Sequence, residues 1–433
     1  MRVGYVSFRL AGSDGVSLET AKLTQILSRI GYTNYYFAGE LDPPGEVPGL
    51  IEASIEDSFL VPEAHFSHPE AIWITDHAFG TEDRQSEFDQ RLRTLSGVIK
   101  KALLGFIKKF NIDILVPQNI LAIPMNLALS LAVFEVIRTT GIPTIAHHHD
   151  FYWEREYYRK NCVGDLLNQI FPPNLPNVRH MVINNMAQKK LSAMGLESVV
   201  MPNVLDFDTQ PPGIDEYNQD LRNEIGLTDE DLFFLQPTRV VPRKGIELSI
   251  ELIQKLKDPR IKLVITHGAE YNSIHYLEEI CALAARAHVP LVYLPARFQP
   301  IRQDGIGIHK VYSLWDAYIH ADFVTYPSLY EGFGNALLEA IYFKKPLLVN
   351  RYQVFQDDIE PAGIKAVLMN GAITDTVLAE VKNLLNDPDK IEQFADANVQ
   401  IAKDNFSYQV AASQLSQILQ TFKNSIYDGN CDQ

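Results

Sequence analysis

The chain is poor in cysteine: Cys162, Cys281 and Cys431 are the only three among 433 residues, and they stand far apart. An odd, scattered set excludes a disulfide framework and a cysteine-based zinc cluster, so plain thiols are expected. Positive charge is scarce as well. With 38 Lys and Arg against 54 Asp and Glu, the formal net charge is −16. That balance speaks against a basic face tracking nucleic acid, and any anionic substrate must be met by local cations. No apolar run reaches transmembrane length, and the opening Met1-Arg2-Val3-Gly4-Tyr5-Val6 is interrupted too soon by Arg9 and Asp14 to act as a signal peptide. A cytoplasmic globular protein is the expectation. Internal repeats and low-complexity tracts are also missing.

What is present is an alternation of short apolar runs and amphipathic stretches, the pattern of parallel α/β domains. The length predicts two to three domains, and 46% hydrophobic residues suffice for their cores. Residues 2–8, 35–37, 112–116 and 143–147 read as strands of a first sheet, with helices over 18–30 and 97–110, and residues 199–201 close that unit. A second series has strands over 232–236, 262–266, 290–294, 323–326 and 346–349, with helices over 246–256 and 273–287. The segment 206–218 is rich in Pro, Asp and Gly without periodicity and reads as a linker. The expected division is an N-terminal domain over 1–205, a linker region over 206–230, a C-terminal domain over 231–406 and a final helix within 407–433.

The most informative stretch is Glu331-Gly332-Phe333-Gly334-Asn335-Ala336-Leu337-Leu338-Glu339, directly after the strand-like run that ends at Pro327. Gly332 and Gly334 permit a close backbone approach, and the helix that follows points its first free N–H groups at any nearby anion. Glu331 on the turn and Glu339 in the helix are placed to accept hydrogen bonds from sugar hydroxyls. Thr238-Arg239-Val240-Val241-Pro242-Arg243-Lys244-Gly245 follows the first strand of the second series, at the carboxyl end where open α/β sheets place ligands. Arg239 and Lys244 suit the charge that builds on a departing diphosphate. Arg243 is expected to be a solvated neighbour.

Three further segments bear on the site. Gly12 and Gly15, in Ala11-Gly12-Ser13-Asp14-Gly15-Val16-Ser17, let the loop after the first strand pass close to a sugar or phosphate, but lack the G-x-G-x-x-G spacing of dinucleotide binding. Asp14 is an acceptor-binding candidate, with turn stabilisation as the alternative. His147-His148-His149-Asp150 ends a strand; alternate side chains of an extended segment point to opposite faces, so at most two histidines converge and no closed metal site is expected. Trp153, Glu154 and Arg155 lie where an acceptor would bind, and an Arg there suits a carboxylate or phosphate on it. Two decoys also occur: Asp206-Phe207-Asp208 has the D-x-D form of a metal-binding motif but falls in the inferred linker, and residues 100–109 form a basic amphipathic helix that fits either an anionic lipid surface or burial on the sheet.

The Glu331 to Glu339 stretch resembles the signature of glycosyltransferase family 4: Glu, seven residues, Glu, with Gly-Phe-Gly after the first acid. That resemblance implies the GT-B fold, two Rossmann-like domains facing across a cleft with the last helix crossing back, and retaining hexosyl transfer from a nucleotide diphosphate sugar. It places Glu331 beside the donor hexose, Glu339 on the ribose, and Gly332, Phe333, Gly334 and Asn335 around the donor. Arg239 and Lys244 match its phosphate-binding pair, His149, with His148 as fallback, matches a histidine near the donor sugar, and Gly12 and Gly15 stand for its glycine-rich loop. Arg297 and Phe298 are positional candidates for the base. No cofactor is implied, and a divalent cation is not indicated. Residues 10–19, 149–155 and 326–330 are similar to a subgroup related to the mannosylglucosylglycerate synthases, which implies a GDP-mannose type of donor and a small anionic glucoside as acceptor. A UDP-glucose type of donor, a lipid or polysaccharide acceptor reached through peripheral membrane contact, a nucleotide-sugar epimerase and a nonenzymatic sugar-nucleotide sensor stay open, as does the oligomeric state.

Overall fold

A computed structural model describes residues 1–12, 14–42, 57–269, 273–303 and 309–428. The chain forms two compact units, Met1–Pro202 with Tyr408–Gln433, and Asn203–Ser407. In the first, seven strands, β1 (Arg2–Ser7), β2 (Thr33–Ala38), β3 (Ser58–Leu60), β4 (Ile114–Pro117), β5 (Thr144–His148), β6 (Val178–Val182) and β7 (Ser198–Val200), form an all-parallel sheet in the order β3-β2-β1-β4-β5-β6-β7. The order reverses between β1 and β4, which makes their carboxyl ends the switch point where such sheets bind ligands. β4 and β5 are buried along their whole length because helices cover both faces; β4 accordingly reads as a continuous apolar run, while β5 buries Thr144, His147 and His148 as well.

The basic amphipathic segment lies in the helix Phe88–Phe110, nine residues longer at its start than expected. Leu92, Ile99, Leu103 and Phe106 are buried in the first core, each worth roughly 2 kcal/mol of apolar transfer. Lys100 pairs with Glu135 at 2.7 Å. The stripe that fitted a lipid surface is thus spent on the protein's own core. The helix Tyr408–Asp428 packs with the first unit: its Tyr408 hydroxyl donates to Gln25 at 3.2 Å, and Arg29 lies over the Tyr408 ring.

In the second unit β8 (Leu232–Gln236), β9 (Ile261–Ile265), β10 (Leu291–Tyr293), β13 (Phe323–Tyr326), β14 (Leu347–Asn350) and β15 (Val367–Met369) form a parallel sheet ordered β10-β9-β8-β13-β14-β15, while β11 (Phe298–Gln299) and β12 (Tyr312–Ser313) pair separately. Its switch point lies between β8 and β13. Residues 206–230, expected as a linker, are part of this unit: Tyr217 donates to the Gln303 and Val311 carbonyls at 2.7 and 2.8 Å, buried Asn218 donates to Asp316 at 2.8 Å, and Leu221–Glu224 is helical. Tyr217 and Asn218 thus spend their polar groups inside the unit, while 212–216 stay exposed. β3, β6 and β15 were not anticipated, since two of them have three residues and β6 carries Arg179 and His180 in its middle.

Cys162 and Cys281 are free thiols, and Cys431 lies outside the described residues. Among the described residues no helix is long and apolar enough to cross a membrane.

Candidate active site

Two loops at the switch point of the second sheet build the charged part of the site. After β8 the chain runs through exposed Arg239 into a single tight turn, Pro242–Lys244, that opens the helix Ile246–Leu256. Buried Gln236 fixes this turn by donating its side-chain Nε2 to the Lys244 backbone carbonyl at 3.1 Å, while the Ser249 hydroxyl donates to Gln236 Oε1 at 2.6 Å. After β13 the second loop passes close by: the Leu329 N–H donates to the Arg243 carbonyl at 2.8 Å. Gly245, at φ +61°, sits where a Cβ would stand 2.5 Å from the Pro327 carbonyl oxygen, so only glycine permits this approach.

The approach brings Glu331 between two cations. Lys244 Nζ donates to Glu331 Oε1, and Arg243 Nη1 donates to Oε2 at 2.9 Å and to the Tyr330 carbonyl at 3.0 Å. Arg243 is therefore bonded to the motif carboxylate, where a solvated neighbour was expected. Burial alone would raise the Glu331 carboxyl, but Lys244 and Arg243 hold it below the usual range. Burial lowers the Lys244 ammonium; Glu331 opposes this, and the fields of Arg243 and Arg239 add to it. Two cations share one carboxylate, a local surplus of positive charge in a chain that is strongly negative overall. His267, two residues beyond β9, feels the same surplus: burial, then Lys244 and Arg239, push its pKa down to about 4. Sequence reading missed His267, although its place at a strand end was the available signal.

The rest of the motif divides between site and scaffold. Gly334, at φ +125°, has the Tyr326 and Tyr352 hydroxyls 2.8 and 2.9 Å from where a Cβ would lie, and Tyr352 donates to the Phe333 carbonyl at 2.6 Å. Tyr352 went unremarked in the sequence, and Tyr326 was noted only as part of a strand-like run and of the 326–330 stretch. Asn335 begins the helix Asn335–Tyr342 and accepts from Asn203 at 2.8 Å; half-buried Glu339 accepts from Tyr318 at 2.9 Å; Gly332 is half-buried on the turn. Phe333 corrects an expectation, because it is 2% exposed and packs edge-on against Phe406, making it core and not pocket lining. Arg297 is corrected too. It is buried and tied to Glu224 at 2.8 Å and to the Lys310 carbonyl at 2.8 Å, which leaves its guanidinium in a structural role, and Phe298 beside it is 3% exposed. The D-x-D decoy is also spent locally: Asp206 accepts from Thr209 at 3.1 Å, and Asp208 pairs with Lys403 at 2.5 Å.

In the first unit the loops after β1, β4 and β5 gather a second polar group. Gly12, at φ +71°, donates its N–H to Asp42 at 2.7 Å, and Gly15 starts the helix Gly15–Arg29. Asp14 is the cap of that helix, accepting from the Val16 and Ser17 amides and pairing with Arg9 at 3.0 Å, so turn stabilisation accounts for it. Ser13 lies outside the described residues. The histidines split as strand alternation requires: His147 Nδ1 and His149 Nε2 lie 2.9 and 3.1 Å from Gln118 Oε1, while His148 Nε2 lies 2.9 Å from His180 Nδ1 on the other face. Burial lowers the pKa of all three. Half-buried Trp153 stacks on Phe151 at 4.4 Å with Lys190 over its face, and exposed Arg155 pairs with Asp150. Gln118 and Asn119 were overlooked, although the loop after β4 is half of the switch point. No group of His, Cys, Asp and Glu among the described residues has the arrangement of a metal site.

Known proteins match this architecture. Residues 306–400 match the family model "Glycosyl transferases group 1". The chain is 32% identical over 392 residues to a mannosylglucosylglycerate synthase of Petrotoga mobilis, covering 85% of this chain and 86% of that protein. It is also 32% identical over 442 residues to one of Thermotoga maritima, covering 94% and 97%. Among solved structures, sucrose-phosphate synthase from Thermosynechococcus elongatus superposes with a TM-score of 0.66 at 13% identity over 98% of this chain and all of the other, a likeness of fold alone. With the GT-B fold and relatives that match nearly from end to end, the chain belongs to the group 1 glycosyl transferases, in the subgroup of the mannosylglucosylglycerate synthases, and is a hexosyltransferase.

Proposed function

We propose that this enzyme transfers a hexosyl group from a nucleoside diphosphate sugar, mannose on GDP before glucose on UDP, to a small anionic glucoside of the glucosylglycerate kind, with retention of configuration. The observation that carries the donor half is the cation surplus around Glu331: Arg243 and Lys244 on one carboxylate, with Arg239 in their field, at the switch point of the second sheet. Such a cluster favours an incoming diphosphate, and it favours the transition state more, because charge grows on the leaving oxygens as the glycosidic bond breaks. In this reading Glu331 and Glu339 hold sugar hydroxyls. The acceptor hydroxyl enters from the face that diphosphate leaves, and a diphosphate oxygen takes its proton, so no enzymic nucleophile is required. Arg155 and Trp153 suit a carboxylate-bearing sugar, which agrees with the names of the two relatives.

The test is to incubate the enzyme with GDP-mannose or UDP-glucose and a panel that includes glucosylglycerate, glycerate and glucose, following nucleoside diphosphate and new glycoside by mass and the anomeric configuration by NMR. The expected result is GDP together with an α-linked mannosylated glucosylglycerate, unchanged by EDTA because side-chain cations neutralise the diphosphate. Donor isomerised without a glycoside would make it an epimerase, and binding without turnover a sensor. Activity lost to EDTA and restored by a divalent ion would overturn the metal-free reading.

A further inference from the structure

Gln118 has no exposed surface, and its side chain faces two imidazoles. Its Oε1 is 2.9 Å from His147 Nδ1 and 3.1 Å from His149 Nε2. A carbonyl oxygen carries lone pairs and no proton, so both ring nitrogens must bring the hydrogen. A neutral imidazole has one N–H, which leaves Nδ1 of His149 bare. Asn119 clamps the same turn: it is left-handed at φ +62°, and its Oδ1 accepts from the His149 and Asp150 amides at 2.9 and 3.2 Å. Among the described residues, Gln118 Nε2 and His147 Nε2 are buried without a partner, an arrangement that native cores seldom show.

We propose that Gln118 is a positioning residue for the transfer reaction, holding His149 as its Nε2–H tautomer so that Nδ1 is offered as a hydrogen-bond acceptor to a sugar hydroxyl. This rests on the transferase reading above. The groups acting on His149 are Glu19 and Asp14 from the first helix and its cap, Asp150 beside it in the chain, and the rings of His147 and His148. The three carboxylates are paired with Lys22, Arg9 and Arg155 respectively. A bare nitrogen in that setting accepts from a hydroxyl and offers nothing to a phosphate or carboxylate oxygen.

The experiment is a long-range proton–nitrogen spectrum of the full chain labelled with ¹⁵N-histidine, without substrate, with His149 assigned through His149→Gln. The expected result is a protonated Nε2 and a bare Nδ1 on His149 from about pH 8 to about pH 6. Gln118→Leu is expected to release the ring into mixed tautomers and to lower kcat by about tenfold or more, with donor KM little changed, as misorientation of a reacting group does. Gln118→Glu adds a negative charge at Oε1 and is expected to raise the acidic limb of the kcat–pH profile. A wild-type His149 protonated on Nδ1, or a Gln118→Leu enzyme with unaltered tautomer and kcat, would overturn the proposal. If Gln118→Leu does not fold, the wild-type spectrum and the Gln118→Glu profile decide. Because the spectrum is read without substrate, the expected tautomer in an enzyme inactive in every transfer assay would overturn the reaction and not the tautomer.

Discussion

Lys244, Glu331 and Arg297 separate chemistry from scaffolding. Lys244→Ala is expected to keep the fold and lower kcat/KM about 10²- to 10³-fold, the scale of removing one preorganised charge from a developing anion. Glu331→Ala is expected to abolish transfer and also to cost on the order of 3 kcal/mol in urea unfolding, because it leaves Lys244, 8% exposed, without its counter-ion. Retained turnover in either variant would contradict the assignment. Arg297→Ala should do the reverse, lowering stability by roughly 1–3 kcal/mol through the loss of Glu224 and Lys310 while donor KM stays unaltered. The two acids and their spacing were legible in the chain, and so were Arg239 and Lys244. Arg243, Arg297 and Phe333 were misjudged because a residue's type and position do not reveal which neighbour its side chain reaches.

Among the elements, the turn Pro242–Lys244 and the loop after β13 act as one piece. They are separated by more than eighty residues, yet the Gly245 contact with Pro327 and the Leu329 amide on the Arg243 carbonyl join them. Gly245→Ala adds a Cβ against a backbone oxygen at a left-handed φ, so it is expected to cost about 2 kcal/mol or more and to separate Lys244 from Glu331. Urea unfolding with a donor titration checks this, and a stable variant with unaltered donor affinity would show the approach to be dispensable. Strands with continuous apolar runs, such as Leu232–Gln236 and Phe323–Tyr326, were readable from composition. β6 was not, since Arg179 and His180 break its pattern and only pairing with β5 and β7 makes it a strand.

Across the whole molecule, acid should weaken both units in the same pH window. His180 in the first unit and His267 in the second titrate near 4 against an ordinary 6.5; burial is the main cause in each, joined by Arg179 for His180 and by Lys244 and Arg239 for His267. Below pH 6.5 the unfolded chain takes up protons that the folded one refuses, so stability falls from 6.5 to about 4, by on the order of 3 kcal/mol per histidine, and above 6.5 these groups impose no slope. Urea midpoints measured across that range check it, and His267→Asn should remove part of the slope. The alternation of strands and helices, the acid pair around Gly-Phe-Gly and the basic turn are local properties; local spacing was enough to reach a two-part α/β fold, and the motif's resemblance to a known family supplied the glycosyltransferase. What spacing does not carry is partnership across the sheet. Strand order alone made switch points of the loops after β1, β4, β8 and β13, set Gln118 against His147 and His149, and aimed two cations at Glu331, because side chains distant in the chain meet only when parallel strands bring their carboxyl ends together.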